Sequence, residues 1–214
     1  MTFFDVQKEQ LKKAENLIKS DIIFTNEDFL KQDISKDFMN ELIKDGVLEE
    51  VYSGIYIRAD SYVDDFLVRQ MILPKGIFSN ETALYIHDLT DKFPYTVWMN
   101  FPVGYKLPKN VPDYLQNTVV RQVSERYLNL EIIDVPVSAS KHAIRVYSKE
   151  KTLCDIVKKK NVVEQEVINK AFKRYLSSKE RDVGKLIQVA KEMRAENQVR
   201  TIVEVLIWVV KQLV

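Results

Sequence analysis

The sequence predicts an α+β fold in two parts, and three observations carry that prediction. Helical periodicity fills most of the first 45 residues and gives way to two short strand-like runs joined at a glycine. Between residues 95 and 148 lie four runs rich in β-branched and aromatic residues, "YTVWMNFP", "TVVRQVSE", "LNLEIIDVPVSA" and "HAIRVYS". From residue 149 onward apolar residues recur at helical spacing to the end of the chain.

Each element has a local cause. Leu11, Ala14, Leu17 and Ile18 place an apolar stripe on a first helix running from about Val6 to Ser20. After the short run "DIIFT", Thr25 with Asp28 three residues on has capping-box spacing and opens a brief second helix that ends near Gln32. Ser35 caps a third, "KDFMNELIKDG", and Gly46 stands where a left-handed residue ends a helix. The runs "VLEEVY" and "IYIRAD" then form a hairpin around "SG". Helix, helix, tight turn, helix and hairpin is the order of a winged helix-turn-helix, which assigns residues 1–60 to one domain and 61–214 to a larger α+β domain.

In that second part, "DDFLVRQMILPKG" is a helix stopped by Pro74-Lys75-Gly76, and Ser79 caps a short helix through Ala83, Leu84 and Ile86. The four strand candidates follow, making a small sheet. Helices are expected at about 149–159, 163–176, 182–196 and 199–213.

The third helix reads as a nucleic-acid-facing element. Phe38, Met39, Leu42 and Ile43, with Ile34 before them, form its apolar side. Lys36, Asn40 and Lys44 fall at intervals of four on one exposed stripe, beside Asp37 and Glu41. Asn pairs bidentately with adenine, Lys contacts phosphate or guanine, and Ser35 at the helix N-terminus is placed to hold a phosphate. Gly54, Tyr56 and Arg58 lie in the wing. A winged helix that binds protein instead of DNA has the same pattern, and so does a stand-alone transcriptional regulator.

Charge is unevenly placed. The chain is 214 residues long with a net charge of +1. Residues 1–60 carry 8 Lys and Arg against 13 Asp and Glu, whereas residues 141–200 carry 16 against 8. An acidic front domain lacks the phosphate-neutralising charge that gives DNA binders most of their affinity. The basic block can supply it through Lys158, Lys159, Lys160, Lys170, Lys173, Arg174, Lys185, Lys191 and Arg194, unless these form an ordinary solvated face.

One cysteine excludes an internal disulfide framework and fits a reducing compartment. The opening "MTFFDVQKEQLKK" is charged too early for a secretory signal, and "TIVEVLIWVV" at 201–210 is too short to span a bilayer, so a cytoplasmic protein is expected.

Four patterns bear on chemistry. Five glycines are too few to build a Gly-rich phosphate loop, and no Cys or His pair has zinc spacing, so no metal or cofactor is expected. His87-Asp88 with Thr90-Asp91 is the densest polar cluster, but it falls at a helix end, where such residues cap and turn. Cys154 and His142 flank "RVYSKEK", yet Cys154 shares an apolar helical stripe with Leu153, Ile156 and Val157. A thiol so placed belongs to a core, and no catalytic residue is assigned.

Four segments in order, "SGIYIRAD", "SNETALYIHDLTDKFP", "VYSKEKTLCDIV" and "YLSSKERDVGKLIQVAKEMRAENQVRTIVEVL", give a chain that resembles the AbiEi antitoxin family over nearly its whole length. These are the antitoxins of type IV, abortive-infection toxin–antitoxin operons. The resemblance implies an N-terminal winged helix that binds inverted repeats in its own promoter. It implies a C-terminal domain that aids repression and opposes a nucleotidyltransferase-like toxin, directly or indirectly. Carried over by position, the DNA-reading residues are Ser35, Lys36, Asn40 and Lys44, with Arg58 in the wing. No enzymatic activity is implied.

Overall fold

The computed structural model describes residues 3–108, 111–112, 115–158 and 163–212. Its architecture is α+β, and it divides into two compact units. One is Met1–Pro74 with Pro108–Asp113 and Val135–Ile144; the other is Lys75–Leu107, Tyr114–Asp134 and Arg145–Val214.

The first unit opens with α1 (Phe3–Ser20), β1 (Ile23–Thr25), α2 (Asn26–Lys31), α3 (Lys36–Lys44), β2 (Leu48–Tyr52) and β3 (Ile55–Arg58). The strands form an antiparallel sheet in the order β1-β3-β2, so the hairpin closes onto the strand that precedes α2. Ala14 and Leu17 of α1, Phe29 of α2, Met39 and Leu42 of α3 and Leu48 and Tyr56 of the hairpin meet in one core. Phe29 sits edge-to-face against both Phe24 and Tyr56, the arrangement that ring quadrupoles favour.

Local chemistry fixes the turns. The Thr25 N–H and hydroxyl both donate to Asp28 Oδ2 at 2.8 Å. Burial would raise the Asp28 carboxyl, but these bonds outweigh it and hold it below its ordinary value. Gly54 has φ +77°, and a Cβ there would stand 2.6 Å from Asn26 Nδ2. The close approach matters because Gly54 O accepts from the Asn26 N–H at 3.0 Å, tying the hairpin turn to α2. This unit also holds α4 (Asp65–Ile72), whose Asp64 cap accepts from the Phe66 N–H at 2.7 Å.

The second unit holds most of a five-stranded sheet in the order β6-β5-β4-β8-β7, with Val135–Pro136 and Ala143–Ile144 counted in the first unit. Its strands are β4 (Ile77–Phe78), β5 (Val97–Pro102), β6 (Thr118–Val123), β7 (Ile132–Pro136) and β8 (Ala143–Tyr147). β5 runs parallel to β6 and antiparallel to β4, and β4 is parallel to β8. Its helices are α5 (Asn80–Ile86), the single turn α6 (Glu125–Leu128), α7 (Lys149–Ile156), α8 (Gln165–Ser177), α9 (Val183–Glu192) and α10 (Glu196–Gln212). The two-residue β4 is too short for any sequence period to reveal. α7 packs on α5, α8 and α9, and Leu153, Cys154 and Ile156 join Phe172, Tyr175, Leu186 and Ala190 in the unit's core. Val199 and Val203 anchor α10 in the same core. No described helix is long and apolar enough to cross a membrane.

Candidate nucleic-acid interface

α3 is a nine-residue helix whose Ser35 hydroxyl accepts from the Phe38 N–H at 3.2 Å. Its buried face is Met39 and Leu42, with Phe38 and Ile43 packed at the margin. Lys36, Asn40 and Lys44 are all exposed, as are Asp37, Glu41 and Asp45 between them. The stripe therefore mixes two ammonium groups and an amide with three carboxylates.

α1 helps position this helix. Gln10 accepts from the Ser35 N–H at 2.8 Å and donates to Asp33 O at 2.8 Å. Asp33 itself takes a positive φ of 52°, which a short polar side chain tolerates at a tight turn. One side chain of α1 thus holds both sides of the α2–α3 turn, a link between residues more than 20 apart that no local pattern reveals.

The hairpin departs from its sequence reading in detail. Tyr56 turns inward and is buried, and its hydroxyl donates to Asn26 Oδ1 at 3.0 Å. Burial, and then the neighbouring Glu50 carboxylate, push its pKa up. Arg58 ends β3 beside Leu48, at the opposite end of the hairpin from Gly54. Its guanidinium donates to Asp60 through Nε at 3.0 Å and Nη2 at 2.9 Å. Glu49 and Glu50 are exposed on β2.

The basic block separates into two kinds of residue. Lys170 pairs with Glu166 at 2.6 Å, Lys185 with Glu131 at 2.7 Å, and Arg174 with Asp91. Lys173, Lys191 and Arg194 are exposed and make no ion pair among the described residues. Lys158 is half-buried, with Nζ 5.4 Å from the centre of the Tyr127 ring. Lys159 and Lys160 lie outside the described residues.

The candidate reactive groups are used structurally. Cys154 is fully buried, its Sγ lies 3.8 Å from Leu186 O, and burial pushes the thiol up to about 12. His142 belongs to the other unit, where its Nε2 stands 3.8 Å from the buried Asp21 carboxylate. His87 Nε2 lies 2.7 Å from Tyr147 O, so this nitrogen carries the proton. Burial draws the His87 pKa down. Arg174 holds Asp88 O and Asp91, so the polar cluster pins the end of α5 to α8. No group of three His, Cys, Asp or Glu able to hold a metal occurs among the described residues.

One polar residue was invisible to sequence reading. Lys151 is only 2 % exposed, and its ammonium lies over the Tyr147 ring. A lysine on a capped first helical turn reads as surface, and only the tertiary packing of α7 buries it. No protein-family model matches the chain, and no curated protein matches it.

Proposed function

We propose that this chain is the autorepressor and antitoxin of a type IV toxin–antitoxin operon, with a winged helix-turn-helix that binds inverted-repeat promoter DNA. The antitoxin half, neutralisation of a nucleotidyltransferase-like toxin, rests on the resemblance of the four segments to AbiEi proteins.

The DNA half rests on one observation. Lys36, Asn40 and Lys44 stand exposed along α3, while Met39 and Leu42 on its opposite side are buried in the core. A helix held this way presents its polar stripe rigidly, as insertion into a major groove requires. Asn40 is the base-reading residue, with an amide suited to adenine N6 and N7. Lys36 and Lys44 hold phosphate or guanine, and Ser35 holds a phosphate at the start of the helix. Arg58 in the hairpin, and Lys158 with Lys159 and Lys160, add phosphate contacts that fix register and affinity without reading sequence.

A gel shift on the DNA directly upstream of the chain's own gene tests the reading. A complex competed by that DNA and not by random duplex is expected. Equal competition by both removes the repressor assignment.

A second reading is favoured by the exposed acids. Asp37, Glu41, Asp45, Glu49 and Glu50 make α3 and β2 a surface for a basic protein partner. Under that reading the chain shifts no DNA and co-purifies with its neighbour's product.

A further inference from the structure

A cavity of about 240 Å³ opens on the second unit. Its lining comes from the loop that joins α5 to β5, with Glu81 of α5 and Val167 of α8. Phe93 and Tyr95 of that loop supply an aromatic wall. Their rings stand nearly perpendicular, at 79°, with centres 6.0 Å apart. Tyr85 extends the run with a second near-perpendicular pair, its ring 5.3 Å from that of Phe93. Phe93 is 48 % exposed and Tyr95 80 %. A cluster of rings left in water marks a surface on which an apolar group lands.

The loop that carries these rings is fixed near both ends. Arg174 donates to Asp88 O at 3.2 Å and pairs with Asp91. The Thr90 hydroxyl accepts from the Lys92 N–H at 3.2 Å, and Asn117 Nδ2 donates to Tyr95 O at 2.7 Å. The wall is therefore preorganised, which lowers the ordering cost of binding.

Charge narrows the ligand. Glu81 and Lys92 are the charged side chains of the lining, and neither makes an ion pair, with the other or elsewhere, among the described residues. Lys92 repels a metal ion or an organic cation, and Glu81 repels a phosphate. A nucleic-acid strand finds one cation where its backbone needs several. An uncharged apolar molecule desolvates both groups and partners neither. A zwitterion with an apolar body satisfies both groups and the wall together. A third ring entering beside Phe93 and Tyr95 continues the perpendicular run that Tyr85 begins. The volume falls below the range of drug-sized clefts, about 300–1,000 Å³, so the body is small.

We propose that this cavity binds a free aromatic α-amino acid, its ammonium on Glu81, its carboxylate on Lys92 and its ring against Phe93 and Tyr95. The proposal goes beyond the repressor reading and does not depend on it.

The test is calorimetric titration of the full chain with L-phenylalanine. Phenylalanine amide, which lacks the carboxylate, N-acetylphenylalanine, which lacks the ammonium, and alanine, which lacks the ring, are titrated beside it. Saturable binding of phenylalanine is expected, with each of the other three weaker by about 10-fold or more, the effect of one lost charged hydrogen bond or one lost ring contact with its burial. Glu81→Gln should weaken phenylalanine about 10-fold and leave N-acetylphenylalanine unchanged, since that analogue brings no ammonium. Lys92→Met should weaken phenylalanine about 10-fold and leave the amide unchanged. Tyr95→Ala should weaken all three ring-bearing ligands. Lys92 and Tyr95 are exposed, so their variants keep the test readable if Glu81→Gln disturbs α5. No saturable binding of phenylalanine, equal binding of alanine or of either one-charge analogue, or unchanged affinity in the folded variants overturns the proposal. Lys92→Met should shift operator DNA as the wild type does, so failure of this site and failure of the repressor reading are read in separate assays.

Discussion

Asp60 grips Arg58 at both ends of its guanidinium, Nε to Oδ1 at 3.0 Å and Nη2 to Oδ2 at 2.9 Å. The pairing lowers the Asp60 carboxyl pKa and raises that of Arg58, so both stay charged at any ordinary pH. An Arg committed to a carboxylate is a weaker phosphate ligand than a free one. Asp60→Asn should therefore tighten DNA binding and steepen the fall of log K with log salt by about 0.9, the slope of one phosphate contact. The slope is read from gel shifts at several salt concentrations. An unchanged slope places Arg58 away from the DNA.

Asn40 bears the prediction about specificity. Its amide stands between Lys36 and Lys44 on the exposed stripe, with no backbone role in α3. Asn40→Ala should cost about 1–3 kcal/mol on operator DNA and little on random duplex. Gel-shift titrations on both DNAs measure the difference. Equal losses on the two would mean that Asn40 reads no base.

Local chemistry made much of the first 60 residues legible. Thr25 with Asp28, Ser35 and Gly46 each act within one turn of chain, and each marks a boundary where the structure has one. The strands β5, β6, β7 and β8 were legible from their apolar and β-branched runs. β4, two residues long, was not, because it exists by pairing with β5 and β8. The candidate interface was legible as a face and illegible as a charge balance. Gln10 on the α2–α3 turn, Asp60 on Arg58 and Asp91 on Arg174 are side-chain matches made by the fold. They changed which cations are available, and so did the burial of Lys151.

Ion pairs divide the basic block. Lys170, Arg174 and Lys185 pair with carboxylates, whereas Lys173, Lys191 and Arg194 make no ion pair among the described residues; the proposed phosphate contacts are Lys158, Lys159 and Lys160. Replacing Lys158, Lys159 and Lys160 together by Gln should flatten the salt slope by up to roughly 3 units while base preference stays the same. Replacing Lys170 and Lys185 by Gln should leave the slope unchanged. Should the two sets behave alike, the block acts only as diffuse charge.

Cys154→Ser separates packing from chemistry. The thiol is buried between Leu153 and Ile156, and its pKa of about 12 leaves almost no thiolate at neutral pH. Putting a hydroxyl in an apolar core should lower stability by about 1–3 kcal/mol, measured by denaturant unfolding. Repression and antitoxicity should persist at temperatures where the variant stays folded. Loss of antitoxicity in a folded variant would return the thiol to consideration as a functional group.

Lys151→Met should stabilise the protein, and the gain should depend on pH in a definite direction. In the folded chain burial holds the amine near 7, against an ordinary value of 10.5. Between those values the unfolded chain binds the proton and the folded chain does not. The unfolded state then holds more protons, so the wild type gains stability as pH rises through this window. Below about 7 both states are protonated, and the full cost of the buried charge is present. Methionine carries no such cost and fills a similar volume. The variant's advantage should therefore be greatest at pH 6–7, roughly 1–4 kcal/mol by analogy with other buried charges replaced by apolar residues. It should shrink steadily toward pH 10. Urea unfolding of both proteins across that range measures the difference directly. A variant less stable than wild type at pH 6 would mean that Asp155 and the Tyr147 ring more than compensate the ammonium. A difference independent of pH would mean that the amine keeps its ordinary pKa in the folded protein.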